Sequence, residues 1–453
     1  MNLPNYFLAD LPPEATLTPD MVSQACQALK RNREQYLAGR STPSLIKVIS
    51  GTADNWLQPD YPFRQLALQQ GPVATGFSRA TLVNGLDAFF SQLTSERLQS
   101  LLVQDFGHPQ RLDAVTATTT EQKEQRAAMA RGPELIVQIA AGNIPNPTLM
   151  SMVLGLLLRS AQFIKCASGA SFLPRLFAHS IYDAEPKLAA CLEVAEWPGG
   201  RTELESILFT EADCVTATGG DETLALIRQH IPIKTRFLGY GHKLSFGFIA
   251  HEVLSGFGVK KIVARAAADV VAWNQLGCLS PHVLYVEHGG SVAAERFAEM
   301  LAAELAQRET SEPRGELPVE RAATIASRRG FYTVRAQHSP ETRLWQSPHS
   351  TDWTVVYEAD PRFQVSCLNR FIYVKGVTDL TQALQSADSV RGKVSTVGLA
   401  ATEEKAEELS HQLARWGVTR ICPLGQMQNP PLTWRHDGRP SLADLVTWTD
   451  WEQ

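Results

Sequence analysis

The stretch that most constrains this chain begins at Glu134, where ELIVQIAA, GNIPNPT, LMSMVLGLLLRS and AQFIKCAS follow one another as strand, loop, helix and strand. Short apolar runs alternating with buried or amphipathic helices are the pattern of a parallel sheet covered on both faces, wound to either side. The alternation continues through a helix at Phe172 to Asp183, the strand-like run ILFTEADCVTATG, and a helix from Asp221 to Gln229. RFLGYG, a helix near Ala250 to Phe257, KKIVARAAADVVAW and the strand HVLYVE come next. WTVVYEAD and RFIYVKGV then read as strands by their β-branched and aromatic content, and Ala401 to Trp416 reads as an amphipathic helix.

Residues up to Arg131 have a different texture, of helices and loops, with Pro19 to Arg40 helical and Ser78 to Gln104 carrying apolar residues at three and four spacing. Arg308 to Glu320, rich in Glu, Arg, Pro and Ser, reads as an exposed excursion. The last segment, PLTWRHDGRPSLADLVTWTDWEQ, is expected to pack across an interface or back onto the first domain. A length of 453 residues accommodates two or three domains, each of about 100–200 residues.

Charge and cysteine usage narrow the function classes. Forty-two basic residues against 47 acidic ones give a net charge of −5, with no basic block to track a phosphate backbone, so nucleic acid is not an expected partner. The N-terminus lacks a basic region followed by an apolar run, and no apolar stretch reaches the roughly 18 residues of a spanning helix. The seven cysteines form no CxxC pair, so neither a disulfide framework nor a zinc site is indicated and a cytoplasmic protein is expected.

Four features carry chemistry. Cys278, in NQLGCLSP, follows a glycine just before a strand, where backbone amides can point at a reacting carbonyl. A cysteine taken alone is more often an inert buried thiol, and Cys26, Cys166, Cys191, Cys214, Cys367 and Cys422 are read that way. Asn143, in AAGNIPNP, stands at a strand-to-helix turn and can offer a carboxamide at the carboxyl edge of a parallel sheet, although Asn beside Pro is also common in plain turns. Lys165 leaves a buried strand at the same edge, where it can hold ribose hydroxyls or a phosphate, or simply cap the strand in solvent. Gly219 and Gly220, between a strand and a helix, allow backbone to approach a pyrophosphate or make an ordinary turn. There is no GxGxxG and no Walker loop.

In order and spacing these features resemble the aldehyde dehydrogenase superfamily: GNIP is similar to its PWNFP motif, FIKCAS to its VVKPSE strand end, Ala217 to Gly220 to its FTGS turn, and GYGHK to its ELGGK segment. Within it, GCLSP and RICPLGQMQNPPLTWRHDG resemble the acyl-CoA reductase branch, whose best-known member is the fatty-acid reductase of bacterial luminescence. The resemblance runs from about Leu135 to the C-terminus. It implies an aldehyde dehydrogenase-like α/β fold: a helical N-terminal region (1–131), a nicotinamide cofactor-binding domain (132–240), a catalytic thiol domain (241–430), both doubly wound parallel-sheet domains, and a C-terminal extension (431–453).

Reduction of a fatty acyl-CoA or other acyl thioester to the aldehyde by NADPH is the reaction implied. Cys278 is the nucleophile, Asn143 and the Cys278 amide are oxyanion donors, and Lys165, Ser168, Gly219 and Gly220 bind cofactor. Ser168 replaces the glutamate that grips the ribose in NAD-dependent members, so NADPH fits and NADH remains open. Gly239 replaces the glutamate that activates water, which removes the simplest route to free acid and argues against the alternative, an oxidative aldehyde or semialdehyde dehydrogenase. Lys243, His242 and His282 lie near these motifs but are read as structural, and Glu358 receives no role. The resemblance also implies a homo-oligomer, and an acyl carrier or acyl-activating enzyme as a partner.

Overall fold

A computed structural model describes residues 3–12, 14–256 and 258–453. The chain divides into two compact units, one of Met1–Thr75, Leu86–Gly241 and Pro431–Gln453, the other of Gly76–Gly85 and His242–Pro430.

In the first unit, β1 (Arg126–Arg131) precedes a sheet of β2 (Leu135–Ile139), β3 (Ala161–Cys166), β4 (Leu192–Glu196), β5 (Cys214–Thr218) and β6 (Arg236–Tyr240). All pairs in this sheet are parallel, in the order β4-β3-β2-β5-β6. The chain winds outward from β2 in one direction and then returns to its other side with β5. The loops after β2 and β5 therefore flank the switch point, where open α/β sheets bind ligands. One face is covered by helix Pro19–Asn32, whose Val22, Cys26 and Leu29 pack on Leu135, Val137, Ala161 and Phe163. That helix begins because Thr18 accepts the Met21 amide and Pro19 has no amide to satisfy. Truncating Leu29 to alanine in such a layer costs about 2–5 kcal/mol.

One expectation fails here, and one strand was not foreseen. ILFTEADCVTATG is not one strand: Thr202–Glu211 is a helix burying Leu204, Leu208 and Phe209, and only Cys214–Thr218 is extended. The apolar residues at 204 and 208 follow helical spacing, which the continuous run conceals. β4, five residues with two glutamates, also escapes the sequence pattern.

The second unit contains β7 (Leu244–Ile249), β8 (Pro281–Glu287), β9 (Thr342–Gln346), β10 (Thr354–Glu358), β11 (Phe371–Val377), β12 (Val394–Ala400) and β13 (Arg420–Pro423). Their order is β13-β12-β7-β8-β11-β10-β9, parallel except for β9 against β10. Helices Gly258–Val271 and Ala294–Ser311 seal one face. Ile325 and Tyr332 of helix Val319–His338, with Leu409 and Leu413 of helix Glu403–Trp416, seal the other. Fully buried β7 was not expected, because Ser245 and Gly247 interrupt its apolar run; a Cβ on Gly247 would stand 2.5 Å from Leu284 Cδ2. In place of a helix from Ala250 there is one short turn, His251–Val253, and Phe257 lies outside the described residues.

The stretch Arg308 to Glu320 is mostly exposed, as expected, and two arginines anchor it. Arg308 belongs to a helix and bonds the Ala264 carbonyl, while buried Arg314 bonds the Thr351 carbonyl. Charged heads with dedicated carbonyl partners can be buried, which composition alone does not reveal. The C-terminal segment belongs to the first unit, where β14 (Thr447–Glu452) pairs antiparallel with β1 and all six of its residues are exposed. Among the described residues no helix is long and apolar enough to cross a membrane.

Candidate active site

Cys278 sits on a turn that the backbone would not adopt unaided. Trp273, Asn274 and Gln275 are left-handed in succession (φ 49°, 52° and 65°), a conformation costing non-glycine residues roughly 1–2 kcal/mol each. Buried bonds hold it. Gln275 Nε2 donates to the carbonyls of Pro281 (2.7 Å) and Phe371 (3.0 Å), and Asn274 Nδ2 donates to the Arg314 carbonyl (2.8 Å). The Trp273 ring lies so close to Gly85 that a Cβ there would be 2.0 Å from it.

After this turn, Gly277 leaves room for Gln428, whose Nε2 would stand 2.5 Å from any Cβ and instead donates to Ser280 Oγ at 2.6 Å. The Cys278 carbonyl accepts from Ser245 Oγ at 2.8 Å. Gln275 and the Cys278 carbonyl thus tie the thiol's turn to β7, β8 and β11, the central strands of the sheet.

Cys278 is half-buried, whereas Cys26, Cys166, Cys191, Cys214 and Cys422 are buried. Burial pushes the first four of these up to about 12 and Cys422 to about 11, so they remain thiols near neutrality. Half-buried Cys367 is also raised by desolvation. Arg420, at the start of β13, is held by the carbonyls of Met427 (2.6 Å) and Gln426 (2.9 Å). Burial lowers its pKa, while Cys422, Asp269 and Cys278 act in the opposite direction, which places its guanidinium within electrostatic reach of Cys278.

His282 stays neutral near pH 7. Burial holds it down near 4, and its Nδ1 accepts the Ser366 amide at 3.1 Å. Lys243 Nζ bonds the Gly392 carbonyl at 3.3 Å. Glu358 is buried against Lys375 Nζ (3.4 Å) and Arg335 (3.2 Å), a core ion pair between β10 and β11.

The other residues singled out in the sequence converge at the carboxyl edge of the first unit's sheet. Asn143 is exposed in the loop after β2, and Ser168 in the loop after β3. Lys165 is 4% exposed, and among the described residues its ammonium donates no hydrogen bond; the Trp197 ring centroid lies 5.8 Å away. Desolvation lowers its pKa against the raising influence of Glu205, Cys166 and Glu196. A desolvated ammonium at a switch-point edge fits a ribose hydroxyl or phosphate. Gly220 caps helix Asp221–His230 and a Cβ on it would meet nothing, so space is open before that helix. The Gly219 amide, by contrast, is already donated to the Tyr240 carbonyl (3.1 Å). These features suit a nucleotide at this edge.

Four residues were missed in the sequence: Asn274, Arg370, Arg420 and Glu196. Asn274 alone had a legible signal, a polar pair Asn–Gln just ahead of the cysteine. Glu196 ends β4 and accepts the amides of Gly169 (2.7 Å) and Ser171 (3.2 Å), so a carboxylate does stand beside Ser168, supplied by the neighbouring strand.

Comparison with known proteins agrees with this architecture. A long-chain acyl-protein thioester reductase 2 from Photobacterium leiognathi is 25% identical over 325 residues, 70% of this chain. The match covers 64% of that relative's length, just under two thirds. Among solved structures, an NAD-dependent benzaldehyde dehydrogenase from Corynebacterium glutamicum superposes with a TM-score of 0.71 at 14% identity, over 97% of this chain and 91% of that one. A bifunctional proline utilization A protein superposes with a TM-score of 0.72 at 16% identity, over 96% of this chain and 45% of that one. The fold is that of the aldehyde dehydrogenases. The sequence profile described as acyl-CoA reductase (LuxC) matches residues 37–448, and the chain belongs to that family.

Proposed function

We propose that this chain reduces a fatty acyl-CoA, or another acyl thioester, to the aldehyde with NADPH as hydride donor and Cys278 as the acyl carrier. The observation that carries this reading is the place of Cys278, half-buried on a locked turn, where five of the other six thiols are buried and the sixth, Cys367, is raised by desolvation. In this reading residues 132–240 bind the nucleotide, residues 241–430 present the thiol, and the helical residues 1–131 and the extension 431–453 complete the chain. The nicotinamide nucleotide, when bound, supplies hydride.

The Cys278 sulfur attacks the acyl carbonyl carbon, the bond to the CoA sulfur breaks, and CoA leaves as a thiolate that takes up a proton. The Arg420 guanidinium, within electrostatic reach, favours sulfur in its anionic form by the same attraction through which Cys278 acts on Arg420. Reduction of the acyl-cysteine gives a thiohemiacetal, whose collapse breaks the carbon–sulfur bond and returns the thiolate. Asn143 is the proposed oxyanion donor on the strength of the family resemblance, and removing such a donor costs about 10²–10³ in kcat.

Water must not intercept the acyl-cysteine. Residue 239, aligned with the water-activating glutamate of the oxidative enzymes, is a glycine in β6 whose Cβ would meet the Phe237 ring at 3.1 Å, which supports the reductive direction. The relative's name speaks of an acyl-protein substrate; an acyl carrier or an acyl-activating enzyme is the corresponding proposed donor here, in a cytoplasmic homo-oligomer. Mass spectrometry tests the covalent step: palmitoyl-CoA without NADPH is expected to leave one acyl group on the peptide containing Cys278, and acylation elsewhere, or none, would refute it.

A further inference from the structure

We propose that His251, Glu252 and Glu287 form a site for a divalent first-row transition ion, at the end of the second unit's sheet remote from Cys278. Nothing in the proposed reaction uses these residues, and the inference stands apart from it.

β7 and β8 are parallel neighbours, with Ile249 opposite Val286, so the turn His251–Val253 and the last residue of β8 lie side by side. His251 Nδ1 is 2.8 Å from Glu287 Oε2 and 3.8 Å from Glu252 Oε2, and the three ligand atoms lie within 4.8 Å of one another. Tetrahedral coordination at about 2.0–2.2 Å separates ligand atoms by about 3.3–3.6 Å. The two measured pairs bracket that spacing, so an ion needs only small side-chain shifts.

The groups are preorganised. Glu287, 8% exposed, is oriented by the His251 amide, which donates to its Oε2 at 2.9 Å. The following turn is pinned to the same place because Ser291 donates from both its amide (3.2 Å) and its Oγ (2.6 Å) to the Leu254 carbonyl.

Glu252 supplies an independent observation. Its Oε2 is buried and accepts no hydrogen bond, although its side chain as a whole is 30% exposed. A buried carboxylate oxygen with no donor, within 4.8 Å of a second carboxylate oxygen, is stabilised by a cation. Lys405 feels both glutamates, but its ammonium is bonded to Glu408 at 2.9 Å. One imidazole with two carboxylates is a hard-to-borderline donor set, suited to Mn²⁺ or Zn²⁺ rather than to a soft ion such as Cu⁺. Cys278 lies three residues before β8 and Glu287 ends it, a separation of about 20–30 Å at the rise of a strand, so the ion would brace the sheet and take no part in thiol chemistry.

The test is Mn²⁺ binding to the full chain after chelator treatment, followed by the loss of the free-ion electron paramagnetic resonance signal. One ion per chain is expected, with affinity reduced at least tenfold in His251→Ala and in Glu252→Gln, and unchanged in Cys278→Ala. Glu252→Gln alters a partly exposed carboxylate, and its circular dichroism and melting temperature without metal verify that it folds. Absence of binding at millimolar Mn²⁺, or equal affinity in the wild type and a folded Glu252→Gln, would overturn the site.

Discussion

Arg370 Nε donates to Asn274 Oδ1 at 3.0 Å, and this bond joins two runs of left-handed backbone, 273–275 and 368–370. Neither run contains glycine. Arg370 is further tied to Glu309 Oε2 (2.8 Å) and the Glu312 carbonyl (2.8 Å), so the turn before Cys278 leans on an anchored cation. Asn274→Ala leaves a buried guanidinium N–H without its acceptor, at a cost of about 1–3 kcal/mol. The turn then relaxes and the thiol moves, for which kcat is expected to fall by about 10–100-fold while KM for the acyl thioester changes little. Urea denaturation and steady-state kinetics separate the two effects, and an unchanged kcat in a destabilised variant would reduce this bond to a structural role.

Glu196 stands where a 2′-phosphate is expected to approach Ser168, with both its oxygens engaged by backbone amides. Glu196→Gln removes the charge while one amide oxygen can still accept. The ratio of kcat/KM for NADPH to that for NADH is expected to rise by about tenfold, the worth of roughly 1.4 kcal/mol of relieved repulsion. Lys165→Ala is expected to weaken both nucleotides, read as protein fluorescence quenching on titration. Equal ratios in wild type and Glu196→Gln would remove Glu196 from the nucleotide site.

Glu193 is buried in β4, and desolvation lifts its carboxyl from 4.5 to about 8 despite the amides of Leu8 (2.7 Å) and Val194 (3.0 Å) donating to Oε1. The folded chain therefore holds a proton that the unfolded chain releases. Its contribution to stability is complete below pH 4.5 and is lost as the pH rises through about 8. Glu193→Gln keeps a neutral acceptor for both amides, so its urea midpoint is expected to lose much of the wild type's decline between pH 5 and 8. Parallel profiles for the two proteins would show that this carboxyl does not carry the proton.

All six residues of β14 are exposed, with Trp448 at 39% and Trp451 at 55%. Exposed aromatic residues on a two-stranded ribbon fit burial against a second copy of the chain. Trp451→Glu is expected to shift the sedimentation coefficient toward the monomer without lowering thermal stability of the protomer, and a wild type that sediments as a monomer would contradict this.

The sequence made the strand–loop–helix alternation legible because β2, β3, β8 and β11 are mostly apolar and buried on both faces, as parallel strands under two helical layers are. It concealed β7, where Gly247 yields to Leu284, and the helix at Thr202–Glu211, where two periodicities overlap one apolar run. Cys278, Asn143 and Lys165 stood out because their motifs are local. Arg370, Arg420 and Glu196 did not, since each reaches its place through strand pairing between segments far apart in sequence, and no local spacing encodes that.

The most direct measurement is NADPH consumption with a series of acyl-CoAs, with the product trapped by a hydrazine, in wild type and in Cys278→Ala. Aldehyde is expected to form in step with NADPH oxidised, with a loss of roughly 10³-fold or more in the alanine variant. Release of free acid in place of aldehyde, oxidation of aldehydes with NAD and no turnover of any acyl-CoA, or an alanine variant as active as the wild type would contradict it.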